Sequence, residues 1–246
     1  MLYPIEESRP ERSEQISENL QRLHEEINEN ALAAGRRPGE ITLIAVSKTY
    51  PPADLLAAAA VGQTLFGENK VQELCAKVEA LAEHPQIKIH LIGTLQRNKV
   101  KDVVGKTELI HSVHKLSLLQ ALEKEAEKKD CIQDVLLQLN IAREASKHGF
   151  LLEEEEAALS FVQENCPHLR LRGYMCMAPY FENREEAFPV FAKAREVFER
   201  RQQQCGEESF SVLSMGMSHD YPVAIRAGAT HLRIGSAIFG ARDYSR

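Results

Sequence analysis

Eight times along this chain a short, nearly continuous apolar run is followed by a stretch of helical period, and no other feature restricts the fold as strongly. A strand that is apolar at almost every position suits a parallel sheet covered on both faces. A helix running back along that sheet is the usual way to reach the next parallel strand. The strand candidates are 41–47, 64–67, 87–92, 109–113, 134–140, 169–175, 210–214 and 231–235. Helices are predicted over 53–61, 71–81, 98–104, 116–129, 153–165, 185–204 and 221–227, with a last short one after 235. An open doubly wound sheet also alternates in this way. Eight units in about 200 residues, with no linker rich in Pro, Gly or Ser, favour closure into an α/β fold of the (β/α)8, or TIM-type, barrel class.

An extra helix precedes the first strand. Ile16, Leu20, Leu23, Ile27, Ala31 and Ala34 recur every three or four residues and so share one face. Ser8 and Glu11 have the spacing of a capping box, and Gly35 with Pro38 closes the far end. The expected organisation is one domain over 1–246, with an N-terminal helix and cap at 1–40 and the barrel at 41–240.

Thirty Lys and Arg against thirty-six Asp and Glu give a net charge of −6, with both signs mixed along the chain. That balance argues against nucleic acid or an anionic membrane surface as partner. The longest apolar stretch, Leu55 to Gly62, is too short to span a bilayer. The N-terminus opens on acidic residues where a secretory signal needs a basic start and an apolar block, so a cytoplasmic location is expected. Five dispersed cysteines without a Cys-x-x-Cys pair predict reduced, mostly buried thiols rather than disulfides or a zinc site.

In barrels of this class chemistry sits at the C-terminal ends of the strands, and phosphate is often held after strands 7 and 8. Strand 1 ends at Ser47-Lys48. A lysine at an apolar lip is partly desolvated, which lowers its pKa and favours a nucleophilic amine; simple snorkelling to water is the alternative. Strand 7 leads into Leu213-Ser-Met-Gly-Met-Ser218, and strand 8 into Arg233-Ile-Gly235-Ser236 at the start of a short helix. Small residues, hydroxyls and helix N–H groups at these two ends suit an anionic phosphate. Asn69, after strand 2, is placed to meet a ligand oxygen. His111 and His114 flank a strand end and make a poor metal pair, and no metal site is expected. Glu144 and Lys147 read equally well as an exposed ion pair or as site residues. No dinucleotide, P-loop, zinc-protease or nucleophile-elbow motif occurs.

Taken together, Ala45-Val-Ser-Lys48, Phe66-Gly-Glu-Asn69 with Val71-Gln-Glu73, and His90-Leu-Ile-Gly93 with Leu95-Gln-Arg-Asn-Lys99 resemble the YggS/PROSC-type pyridoxal phosphate homeostasis proteins. Leu213 to Ser218 and Arg233 to Arg242 extend the resemblance over nearly the whole chain. It implies a barrel like the N-terminal domain of alanine racemase that binds pyridoxal 5′-phosphate. It also implies a Schiff base at Lys48, phosphate contacts from Ser218, Gly235 and Ser236, Arg233 facing the pyridine nitrogen, and Asn69 near the ring. Ser236 stands where the family often has threonine, which keeps the hydroxyl.

The resemblance implies a protein that sequesters the cofactor and supplies it to apo-enzymes, with no catalytic residues of its own; a monomer is expected, although the sequence leaves the oligomeric state open. A single-domain racemase is the alternative, and an aldolase-type barrel enzyme a third reading. Racemases of this fold use a second domain and a tyrosine from a dimer partner, neither of which is expected from a chain that stops just past the eighth unit. A cation beside the pyridine nitrogen disfavours its protonation and weakens carbanion stabilisation. Tyr174, Tyr180 and His219 are weak candidates for the second base that racemisation needs.

Overall fold

In the computed structural model, which describes residues 8–144 and 146–240, eight parallel strands close on themselves in sequence order. They are β1 (Thr42–Val46), β2 (Leu65–Glu68), β3 (Lys88–Leu91), β4 (Leu109–Val113), β5 (Gln133–Leu139), β6 (Leu169–Cys176), β7 (Val212–Ser214) and β8 (His231–Ile234). β8 returns to β1 with Thr42 opposite His231 and Ile44 opposite Arg233. The helices are α1 (Pro10–Ala33), α2 (Pro52–Ala60), α3 (Val71–Ala80), α4 (Val100–Val103), α5 (Leu116–Lys128), α6 (Glu155–Asn165), α7 (Phe188–Cys205), α8 (Tyr221–Arg226) and α9 (Ser236–Phe239). The closed α/β barrel expected from the strand count is thus the observed architecture.

Alternation along the strands sorts side chains between two cores. Outward residues such as Phe66, Ile110, Leu137, Tyr174 and Leu213 pack beneath the helices. Inward residues Leu109, Leu136, Met175 and Val212, one from each of four successive strands, form a separate apolar layer inside the barrel. Above that layer the interior turns polar, with His90, His111, Gln138, Ser214 and Arg233 all buried.

The long N-terminal helix forms as its spacing predicts, with Ile16, Leu20, Leu23, Ile27 and Ala31 buried. It lies outside the barrel against α2, α8 and α9. Arg12 pairs with Asp54 at 2.7 Å and also donates to the Phe239 carbonyl, while Asn19 donates to the Ile238 carbonyl. α1 is thereby fastened to the short helix that follows β8.

Some boundaries differ from expectation. Pro10 takes the first helical position of α1, which makes Arg9 the N-cap; Glu11 is then too close to complete a box, and the Ser8 hydroxyl is buried without a partner. β7 is only three residues long, because Phe210 instead turns into the core against Tyr174 and Phe198, at ring-centroid distances of 5.0 and 5.5 Å. All five cysteines are free thiols, but three of them are half-buried rather than buried. Among the described residues no helix is long and apolar enough to cross a membrane. The acidic stretch at residues 1–7 and the end of the C-terminal motif, residues 241–242, lie outside the described residues.

Candidate ligand site at the barrel mouth

A cavity of about 300 Å³ opens at the C-terminal ends of the strands. Its lining contains Lys48, Asn69, Ser218, Arg233, Gly235 and Ser236, all six residues singled out from the sequence. They come from the ends of β1, β2, β7 and β8, which closure of the barrel brings side by side. Two hydroxyls mark one side: Ser236 Oγ lies 3.0 Å from Ser218 Oγ. The loop bearing Ser218 can fold close to α8 because Gly216 has φ +92°, and a Cβ there would lie 2.6 Å from that of Ala224. Gly93, also in the lining, packs so tightly on the β2 loop that a Cβ would fall 2.1 Å from the Asn69 carbonyl oxygen.

Arg233 is almost wholly buried, yet it is fixed on two sides. Its Nη1 donates to Ser214 Oγ at 2.6 Å and its Nη2 to the Cys176 carbonyl at 3.0 Å. Burial pulls the guanidinium below its usual pKa, while Asp220 opposes that shift. An arginine has no acceptor, so Ser214 Oγ accepts from it, and His111 Nδ1 lies 3.0 Å from the same oxygen. On its other side His111 Nε2 lies 2.9 Å from His90 Nδ1. One of these two ring nitrogens has to accept, so the contact needs at least one neutral imidazole. Burial pushes in that direction, holding His90 near 3 and His111 well below its ordinary value, with neighbouring cationic groups adding to the effect.

Three comparisons place this barrel among known proteins. The profile of the alanine racemase N-terminal domain matches residues 15–243. The pyridoxal phosphate homeostasis protein of Aquifex aeolicus is 39% identical over 227 residues, covering 92% of this chain and 98% of the relative. That of Pseudomonas aeruginosa is 39% identical over 229 residues, covering 93% and 96% respectively. The chain belongs to the pyridoxal phosphate homeostasis protein family. PipY of Synechococcus elongatus, solved with pyridoxal phosphate bound, superposes on this family member with a TM-score of 0.79 at 34% identity, over 92% of this chain and 100% of that one. Alanine racemase from E. faecalis shares the fold alone, with a TM-score of 0.62 at 18% identity over 94% of this chain and 58% of that one.

Other residues of this chain sit in surroundings of their own. His90 lies within β3, and His111 points inward to Ser214 while His114 stacks on His148 at 4.7 Å. The two histidines thus face different surroundings, and the described residues contain no cluster of metal-ligating side chains. The Glu144 carboxylate accepts from the Ser146 hydroxyl at 2.5 Å, and Lys147 lines a smaller neighbouring cavity with Tyr180 and His219. Tyr174 is buried outside the barrel wall and donates to Glu155. Gln138, missed in the sequence, lines the main cavity and donates to the His148 carbonyl at 2.7 Å. Its signal was a polar side chain interrupting the apolar run 135–139.

Proposed function

We propose that the mouth cavity holds pyridoxal 5′-phosphate on Lys48 and that the protein keeps this cofactor sequestered and available to apo-enzymes. The observation that carries the reading is the meeting of Lys48, Ser218, Ser236 and Arg233 around one cavity, in a family whose PipY member was solved with the cofactor bound. When bound, the cofactor supplies an aldehyde that a lysine amine captures reversibly. The donor set suits each of its parts. Lys48 offers the amine, Ser218 and Ser236 with the Gly235 backbone offer phosphate donors, and Arg233 offers a cation to the ring nitrogen. Asn69 completes the ring contacts. The cavity volume lies at the lower end of the range for small-molecule sites, which suits a compact single-ring ligand.

A role in holding rather than converting the cofactor is supported by the names of the relatives, which denote homeostasis. It is also supported by the lining itself: among the described residues it contains one amine and neither an imidazole nor a carboxylate. A buried arginine at the ring nitrogen keeps the ring a weak electron sink. The reading extends to a monomer acting in the cytoplasm on apo-enzymes that need the cofactor. Borohydride reduction of the loaded protein, followed by peptide mapping, is expected to fix a pyridoxyl group on Lys48. Lys48→Ala is expected to lose that label, and loaded wild type to reactivate an apo-enzyme. Labelling at another residue, with Lys48→Ala retaining its cofactor, overturns the reading.

A further inference from the structure

Lys48 sits in a turn that the chain does not adopt for free. Tyr50 N–H donates to the Ser47 carbonyl at 3.0 Å, closing a four-residue turn, and its third residue, Thr49, has φ +72°. That left-handed conformation normally falls to glycine or asparagine, and a β-branched side chain holds it only where the surroundings impose it. Here they do. The Thr49 N–H donates to Glu73 Oε2 at 2.7 Å. The Ser47 carbonyl, already the acceptor of the turn, also accepts from Lys77 Nζ at 2.7 Å. Lys77 in turn pairs with Glu68 Oε1, which accepts from the Ser47 hydroxyl at 2.7 Å. Beyond the turn, Tyr50 is anchored by its hydroxyl to the Gly240 carbonyl at 2.8 Å and by its ring to Phe239.

Ser47, Glu68 and Lys77 are all fully buried, although an apolar contact of the same volume is an ordinary way to join a helix to a strand end. Glu68 Oε2 is left without a hydrogen-bond partner. A buried ion pair with an orphaned oxygen is poorly suited to stability alone. What it does supply is a fixed position for the Ser47 carbonyl, one residue before Lys48. We propose that Glu73 and Lys77 are positioning residues that clamp the strained turn and so aim the Lys48 amine at the cavity.

This inference rests on Lys48 being the residue that captures the aldehyde. Capture joins Nζ to the aldehyde carbon and expels one water, so it needs the amine at a defined distance and angle; grip on the phosphate does not. The two ligands that separate these demands are pyridoxal 5′-phosphate and pyridoxine 5′-phosphate, whose alcohol cannot be captured. Glu73→Ala is expected to weaken binding of the aldehyde about tenfold and to leave the alcohol within about twofold of wild type. Glu73→Gln keeps an acceptor oxygen for Thr49 and is expected to behave like wild type. Adding Thr49→Gly to Glu73→Ala is expected to recover most of the loss, because glycine takes a positive φ without a clamp. Lys77→Met is expected to show the same split between ligands. Should that variant fail to fold, the Glu73 series at the helix surface decides alone. Equal loss for both ligands in Glu73→Ala means a merely structural role and overturns the proposal, as does unchanged aldehyde binding. If wild type itself binds both ligands alike and borohydride leaves Lys48 unlabelled, the reading of the site falls and the clamp with it.

Discussion

Acidification to about pH 5 should cost this protein much of its stability, through histidines that the barrel keeps uncharged. His90 and His231 are held near 3 and 4, against an ordinary value of 6.5, chiefly by burial, and the cationic Arg233 adds to the effect at His231. Their folded-state values are lowered, so the unfolded chain binds the extra protons. Stability is therefore intact above 6.5 and is lost as pH falls from there toward 4 and then 3. At about pH 5 the unfolded state has gained roughly 1.5 pH units of protonation at each site while the folded state has gained none. That amounts to about 2 kcal/mol per histidine and about 4 kcal/mol for the pair. His111 adds to the loss in the same direction, as do His24 and His114, whose values are also lowered. Glu68 and Asp220, whose values burial raises, act oppositely, gaining stability as pH falls. Against a total of about 5–15 kcal/mol, the net loss is large. Urea unfolding followed by far-UV circular dichroism near pH 7.5 and near pH 5 measures it. His90→Gln isolates one contribution and should shrink the difference between the two pH values by about 2 kcal/mol. An unchanged midpoint for wild type at the lower pH, or a His90→Gln variant that loses as much as wild type, refutes the reasoning.

Two further substitutions probe the frame around the site. Gly93→Ala puts a Cβ 2.1 Å from the Asn69 carbonyl oxygen, so it should cost about 1–3 kcal/mol in urea unfolding and reduce borohydride labelling of Lys48 by displacing the β2 loop. Arg201→Leu removes the two-pronged partner of Glu155, which accepts at 2.7 and 2.8 Å inside the α6–α7 contact. The loss should be about 3–5 kcal/mol in the same assay, and pairing it with Glu155→Leu should restore a good part of it.

The repeat of apolar run and helix was legible because each strand of a closed parallel barrel is buried on both faces and each helix on one. The cavity-lining residues were legible for a related reason: in this architecture the position of a residue in its strand states which end it occupies, and Lys48, Asn69, Ser218 and Arg233 fall at or next to such ends. Contacts between elements were not. Lys77 stands in a helix as any exposed lysine might, and its burial depends on Glu68 of the preceding strand. His90 and His111 interrupt apolar runs, and only closure shows that both side chains point into the barrel toward Ser214. The failed cap at Ser8 had a local cause, since Pro10 moved the helix start by one residue.

The pairing of β8 with β1 has a bearing on how the protein matures. Lys48 and Arg233 stand 185 residues apart, and only the pairing of β8 with β1 brings them together. A chain folded only as far as β7 has the Lys48 amine but neither the Arg233 guanidinium nor the Ser236 hydroxyl beside it. On the proposed reading, retention of the ligand doubles as a report that the cylinder has been sealed.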